Sequence, residues 1–208
     1  MPNNNVATSV VAKLNGAVLP VSSIEQSGNT LTLVLTSVSD VNANSNLTVT
    51  FDLAAATQTT LVSDFNDGTI AGWTQVSGTW SNVNNSIQAT APGNGLLTKN
   101  EVIGSDFTYE ADIKLTAKGA AGVLTFRGNA DGSNSYLVAL EDGSSTIKLY
   151  KFPYSSLITT PQTFTPDTRY HLKVVAIGQN IKIYFNNQAT PCIDFNDATY
   201  TSGKFGLN

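Results

Sequence analysis

The sequence predicts an all-β protein, an antiparallel β-sandwich of the jelly-roll kind preceded by a small β segment, and three observations predict it. Phe107 to Leu115 alternates without a fault. Phe107, Tyr109, Ala111, Ile113 and Leu115 share one face, while Thr108, Glu110, Asp112 and Lys114 share the other. Turn signals recur between apolar runs at Asp131-Gly132, Asp142-Gly143, Thr165-Pro166-Asp167, Gly178-Gln179-Asn180 and Asn186-Asn187. No segment carries a helical period.

Taken in order, Val10–Leu14 and Ala17–Leu19 flank Asn15-Gly16, a strong two-residue hairpin signal. Thr30–Thr36 follows the Gly28-Asn29 turn and places Leu31, Leu33 and Leu35 on one face. Leu47–Phe51 alternates in the same way. The stretch Ala54–Thr60 is small, uncharged and without period, so it sets the boundary between a segment 1–60 and a sandwich 61–208. Beyond Phe107–Leu115, strands are expected at Gly122–Arg127, Tyr136–Glu141, Ile147–Phe152, Tyr170–Ile177, Ile181–Phe185 and Lys204–Leu207. Trp73 and Trp80 are expected to pack inward from the first strands of the sandwich.

Composition narrows the function. Charged residues are 12% of the chain, with Thr, Ser, Asn and Gly filling the polar positions, as is common in extracellular β-proteins. The net charge is -4, and the 11 Lys and Arg residues form no basic run, which argues against nucleic acid and anionic membranes as partners. Cys192 and His171 are each the single residue of their type, so neither an intrachain disulfide nor a Cys/His zinc site can form. The N-terminus lacks the pattern of a signal peptide, so the chain is expected to have lost one or to be a piece of a longer secreted or cell-surface polypeptide.

A set of landmarks carries a resemblance. Asp64-Phe65-Asn66-Asp67-Gly68 with Gly72-Trp73, then Phe107–Asp112, Gly122–Arg127, Ser135-Tyr136, Tyr170–Val174 and Gly203–Asn208 follow one family's order. Residues 61–208 resemble the family-66 carbohydrate-binding modules attached to levanases and other fructan-degrading enzymes, within the laminin-G/concanavalin A-like group. The resemblance implies a non-catalytic module that binds a terminal fructosyl unit through acidic and Arg side chains. Members usually continue with a further strand after the Gly-Leu-Asn landmark. This chain ends there, so the last strand is expected either in a longer polypeptide or from another copy, through an open sheet edge. The first segment loosely resembles bacterial immunoglobulin-like repeats.

Candidate sugar-binding residues follow from the strand pattern. Glu110 and Asp112 project from the outer face of one strand, and Arg127 is expected to point outward from the next, so the three are expected to share one surface. Carboxylates beside a guanidinium offer acceptors and a donor fork to sugar hydroxyls. Glu141 and Lys151 are further candidates whose faces the pattern leaves open. Tyr136 and Tyr154 lie near turns and are the preferred stacking aromatics, ahead of Tyr150 and Phe152. Asp64, Asn66, Asp67, Asp194 and Asp197 offer oxygens where related sandwiches hold a structural calcium, but their spacing matches no calcium loop and favours Asx turns.

Catalysis is not expected. Exposed Glu110 and Asp112 beside a cation would both ionise, leaving no proton donor for a glycosidase pair. The alternative to glycan binding is a structural subunit or spacer of an extracellular fibre, adhesin or surface layer.

Overall fold

The computed structural model describes residues 5–27, 30–35, 46–55, 60–89, 95–100, 104–153 and 155–208. The chain divides into two compact units, Met1–Val62 and Ser63–Asn208.

The first unit holds β1 (Asn5–Leu14), β2 (Ala17–Leu19), β3 (Val21–Ser27), β4 (Thr30–Leu35) and β5 (Leu47–Ala55). β1 lies between β2 and β5 in a three-stranded antiparallel sheet, and β3 pairs with β4. The hairpin expected at Asn15-Gly16 is present. Both residues have positive φ, 47° and 86°, the conformation that a two-residue turn matched to strand twist requires. The Gly28-Asn29 turn and most of the 54–60 stretch lie outside the described residues.

The second unit contains β6 (Trp73–Ser77), β7 (Trp80–Val83), β8 (Ser86–Ala89), β9 (Leu96–Lys99), β10 (Phe107–Lys114), β11 (Ala121–Gly128), β12 (Ser135–Glu141), β13 (Thr146–Phe152), β14 (Ser155–Pro161), β15 (Arg169–Ile177), β16 (Asn180–Phe185), β17 (Ile193–Asn196) and β18 (Lys204–Leu207). Two antiparallel sheets form a sandwich: β14-β13-β12-β11-β18-β9-β6 and β10-β15-β16-β17. β7 and β8 make a separate hairpin. Trp80 is buried as expected, its indole N–H donating to the Ser77 carbonyl at 3.0 Å, whereas Trp73 is half-buried.

The period-2 pattern sets which face is inside. Leu124 and Phe126 of β11, Tyr136, Val138 and Leu140 of β12, and Ile147 and Leu149 of β13 meet Leu172 and Val174 of β15 and Ile181 and Ile183 of β16 in one core. Burying each aliphatic or aromatic side chain stabilises the fold by about 1.5–3 kcal/mol. The odd-numbered residues of β10 pack against that core from the edge of the smaller sheet, as their alternation predicts.

The same parity defines the outer face of the larger sheet. Thr98, Thr125, Ser135, Leu137, Ala139 and Glu141 point away from the core, and Ser135, Leu137 and Ala139 lie across from Phe152, Tyr150 and Lys148 of β13. Gly206 lies between Thr125 and Thr98 in this layer. A Cβ there would fall 2.4 Å from Thr125 Oγ1 and 2.8 Å from the Leu97 carbonyl, so only glycine fits.

Candidate functional site

Among the described residues, the structure disperses the side chains singled out by sequence. Glu110 and Asp112 do project outward, but from the smaller sheet. There they flank His171, with Asp112 Oδ1 2.8 Å from Nδ1 and Glu110 Oε2 3.7 Å from Nε2. Arg127 belongs to the other sheet and does not face outward at all. This corrects the expectation that the three residues share one surface.

Two causes separate them. β10 and β11 are consecutive in sequence but lie in different sheets, so their outer faces point in opposite directions. In addition, the β11–β18 register shifts between Thr125 and Gly128, and Arg127 has φ 51°, so a bulge breaks the alternation and re-aims its side chain. Its guanidinium is fully buried at the end of the sandwich. It donates through Nε and Nη2 to the Ser105 carbonyl, at 3.1 and 2.6 Å, and through Nη1 to the Tyr200 carbonyl, and it lies 5.8 Å from the Phe107 ring centroid. Arg127 is an internal tie between two loops.

Tyr136 is likewise fully buried and cannot stack on a ligand, contrary to expectation. Its hydroxyl donates to Asp197 and accepts from the Tyr200 N–H. Asp197 also accepts from the Thr199 N–H at 2.8 Å and from Lys151 Nζ at 3.0 Å. Burial works to raise this carboxyl, but the hydrogen bonds from Thr199, Tyr136 and Lys151 outweigh it and hold it well below the usual carboxylate range. Tyr154 lies outside the described residues.

Glu141 is on the outer face of the larger sheet. Lys148 Nζ reaches it at 2.6 Å, and the Tyr150 and Ser144 hydroxyls donate to it. Burial alone would raise this carboxyl as well, yet those donors bring it below its ordinary value.

Of the calcium candidates, Asp64 and Asp67 behave as turn residues, whereas Asp194 lies in β17 opposite Lys182. Asp64 accepts from the Asn66 N–H, Asp67 accepts from the N–H and hydroxyl of Thr69, and Asp194 accepts from Asn180 and lies near Lys182. Among the described residues no group of three or more His, Cys, Asp or Glu is close enough to hold a metal ion.

A cleft that sequence reasoning missed lies on the outer face of the larger sheet. It has a volume of about 350 Å³, and its lining includes Thr98, Thr125, Asp131, Ser135, Phe152 and Lys204. The Thr98, Thr125 and Ser135 side chains form a sunken polar floor, each residue 5% exposed or less. The 129–134 loop makes one wall and is held by its own hydrogen bonds. Asn134 N–H donates to Asn129 Oδ1 at 2.9 Å, Asn129 Nδ2 donates to Ser133 Oγ at 2.6 Å, and Ser133 N–H donates to Asp131 Oδ1 at 2.9 Å. The Ser133 N–H and hydroxyl keep the Asp131 carboxyl below its usual value, so it is an acceptor at neutral pH. Lys204 is fixed on another side by the Asn100 carbonyl, 2.6 Å from its Nζ. Hydroxyls, amides, one carboxylate, one ammonium and an aromatic ring therefore converge on one recess.

Residues 60–208 match the family model described as the 3-keto-alpha-glucoside-1,2-lyase-like domain. Over 145 residues, 67% of the chain, it is 34% identical to a levanase of Bacillus subtilis (strain 168), and this match spans only 21% of that protein's length. A fructan beta-fructosidase of Streptococcus mutans is 30% identical over 118 residues, which is 53% of this chain and 8% of that protein. The solved carbohydrate-binding module of family 66 from Bacillus subtilis superposes with a TM-score of 0.61 at 33% identity, covering 65% of this chain and 86% of that module. The sandwich is thus like a module found within levanases, as the landmarks of Phe107–Asp112 and Gly122–Arg127 imply.

Proposed function

The chain belongs, through residues 60–208, to the 3-keto-alpha-glucoside-1,2-lyase-like domain family, and from that premise we propose that it binds carbohydrate without catalysis, as a fructan-binding module of a larger secreted or cell-surface protein. The observation that carries this reading is the cleft on the seven-stranded sheet. Its floor of buried hydroxyls from Thr98, Thr125 and Ser135 suits a neutral polyol, which offers both donors and acceptors. Phe152 supplies an apolar surface for a sugar ring, while Asp131 and Lys204 add a charged acceptor and a charged donor. The module's likeness to segments of a levanase and of a fructan beta-fructosidase supports fructan as the glycan.

The cleft is not suited to glycoside hydrolysis. That reaction needs two side-chain carboxyls about 5–9.5 Å apart, one of them protonated. Asp131 is the one acidic side chain in the described lining, and its hydrogen bonds favour the ionised form. Glu141 lies four residues beyond Leu137 along β12, about 13 Å at strand rise, and is also held ionised.

Calorimetry with fructan tests the proposal. Binding is expected to weaken about tenfold in Phe152→Ala and in Asp131→Ala, the loss of one ring contact or one charge-assisted hydrogen bond, with the circular dichroism spectrum unchanged. Absence of heat with fructans and with a panel of other neutral glycans would remove the reading.

One observation favours a second reading, a structural subunit or spacer that associates through strands. β10 ends the four-stranded sheet and, among the described residues, pairs on one side alone, with β15. Such self-association predicts a mass that rises with concentration in sedimentation. A constant monomer mass sinks it.

A further inference from the structure

We propose that Tyr200, which does not line the cleft, is a positioning residue that sets its two walls relative to one another: the Phe152 ring and the 129–134 loop that carries Asp131. This rests on the reading of the cleft as a glycan site and assigns what holds that site in shape.

The walls need such a link. Phe152 is the last residue of β13 and lies opposite Ser135, the first of β12, so the ladder between these strands stops there. The loop joins β12 at the same point. Within itself it is closed, because Asn129 N–H donates to the Asn134 carbonyl at 3.0 Å and Asn134 N–H donates to Asn129 Oδ1 at 2.9 Å. Its tip rests on Leu96. Gly132 has φ 74°, and a Cβ there would fall 2.2 Å from Leu96 Cδ2. These contacts shape the loop and seat its tip, but none of them joins its neck to Phe152.

The Tyr200 hydroxyl makes that join. It donates to the Phe152 carbonyl at 2.7 Å and shares its proton with Asn134 Oδ1 at 3.3 Å. One oxygen thus touches the backbone of one wall and the neck of the other. Its own position is set from the interior. The Tyr200 N–H donates to the Tyr136 hydroxyl at 3.2 Å, the Tyr200 carbonyl accepts from Arg127 Nη1 at 3.3 Å, and the two tyrosine rings meet edge-on at 5.2 Å. Arg127 and Tyr136 are each 2% exposed or less, and neither lines the cleft, so both reach it through Tyr200. Binding groups work when held within about 0.5 Å of the productive geometry. Walls held by the core also lose little freedom when a ligand arrives.

The test is calorimetry of the whole chain with soluble levan, beside urea midpoints. Tyr200→Phe keeps the ring contact with Tyr136 and removes only the hydroxyl. It is expected to weaken levan binding about fivefold, with the circular dichroism spectrum unchanged. In a Phe152→Ala background, where no ring remains to be positioned, the same change is expected to cost less than about twofold. A purely structural role would lower the urea midpoint and leave the affinity of the folded protein as it was. Wild-type affinity in Tyr200→Phe therefore overturns the proposal, and so does a loss that recurs in full in the Phe152→Ala background. Absence of levan binding by the unaltered protein removes the cleft reading, and the positioning role with it. If Tyr200→Phe loses its folded spectrum, Asn134→Ala, at an exposed residue, carries the same comparison with Asp131→Ala as the background.

Discussion

The two outer faces of the sandwich contrast in how they hold their polar groups. On the four-stranded sheet, Glu110 and Asp112 are 54% and 61% exposed at the side chain, and they meet His171 in solvent. On the seven-stranded sheet, Thr98, Thr125 and Ser135 are sunk beneath walls made by a loop and by Lys204. Water competes for every contact on the first face, so its charges neither stabilise much nor select a ligand. On the second, polar groups are recessed and oriented, and a ligand that satisfies them displaces water from a shaped surface. Charge density at the sequence level therefore pointed to the four-stranded sheet, while the recess on the seven-stranded sheet is built largely from uncharged residues.

The contrast can be broken or sharpened experimentally. The largest effect is expected at Arg127, whose burial and three hydrogen bonds to the Ser105 and Tyr200 carbonyls make it internal. Arg127→Ala should cost about 3 kcal/mol, read from the urea midpoint, because two carbonyls lose their donors. Arg127→Lys should recover little of this, since an ammonium lacks the fork that reaches both carbonyls. A wild-type midpoint in Arg127→Ala would return that side chain to the surface.

Next in size is Asp197, whose acceptors serve Tyr136, Thr199 and Lys151. Its carboxyl is held below its unfolded value, so its stabilisation is present above an unfolded pKa of about 3.9 and is lost as pH falls through the folded value. Asp197→Asn should lose about 1–2 kcal/mol at pH 7 and show a flatter decline of stability between about pH 5 and 2. Parallel pH curves for the two proteins would contradict the network.

Within the cleft, Gly206→Ala should lower stability by about 1–3 kcal/mol, because the new methyl meets Thr125 and the Leu97 carbonyl. It should also reduce glycan affinity, read by calorimetry, through the raised floor. The smallest effect is expected on the other face. Glu110→Gln and Asp112→Asn should each change stability by less than about 0.5 kcal/mol and leave glycan binding unaltered. A marked loss of binding in either variant would reverse the assignment of the two faces.

Much of the scaffold was legible from sequence because strand periodicity is local. Phe107 to Leu115 announced both its conformation and its buried face, and Asn15-Gly16 announced a hairpin. Other elements were silent: β14 reads Ser-Ser-Leu-Ile-Thr-Thr-Pro and β17 only Ile-Asp-Phe-Asn, too short or irregular to stand out from loops. For the candidate site, Phe152 was recognised as a stacking candidate, behind Tyr136 and Tyr154. Asp131 was read as part of a turn, and Thr98 and Thr125 carried no signal, since hydroxyl residues are common in strands.

Taken alone, the sequence determined that the chain is all-β, which residues of β10 face inward, and which module family its landmarks resemble, because alternation and motif order are properties of neighbours along the chain. Tertiary structure alone decided that Glu110 and Arg127 lie apart and that residues as distant as Thr98, Thr125 and Lys204 meet. The reason is physical: sheet assignment depends on long-range pairing, and one bulge at Arg127 is enough to turn a side chain from solvent into the interior.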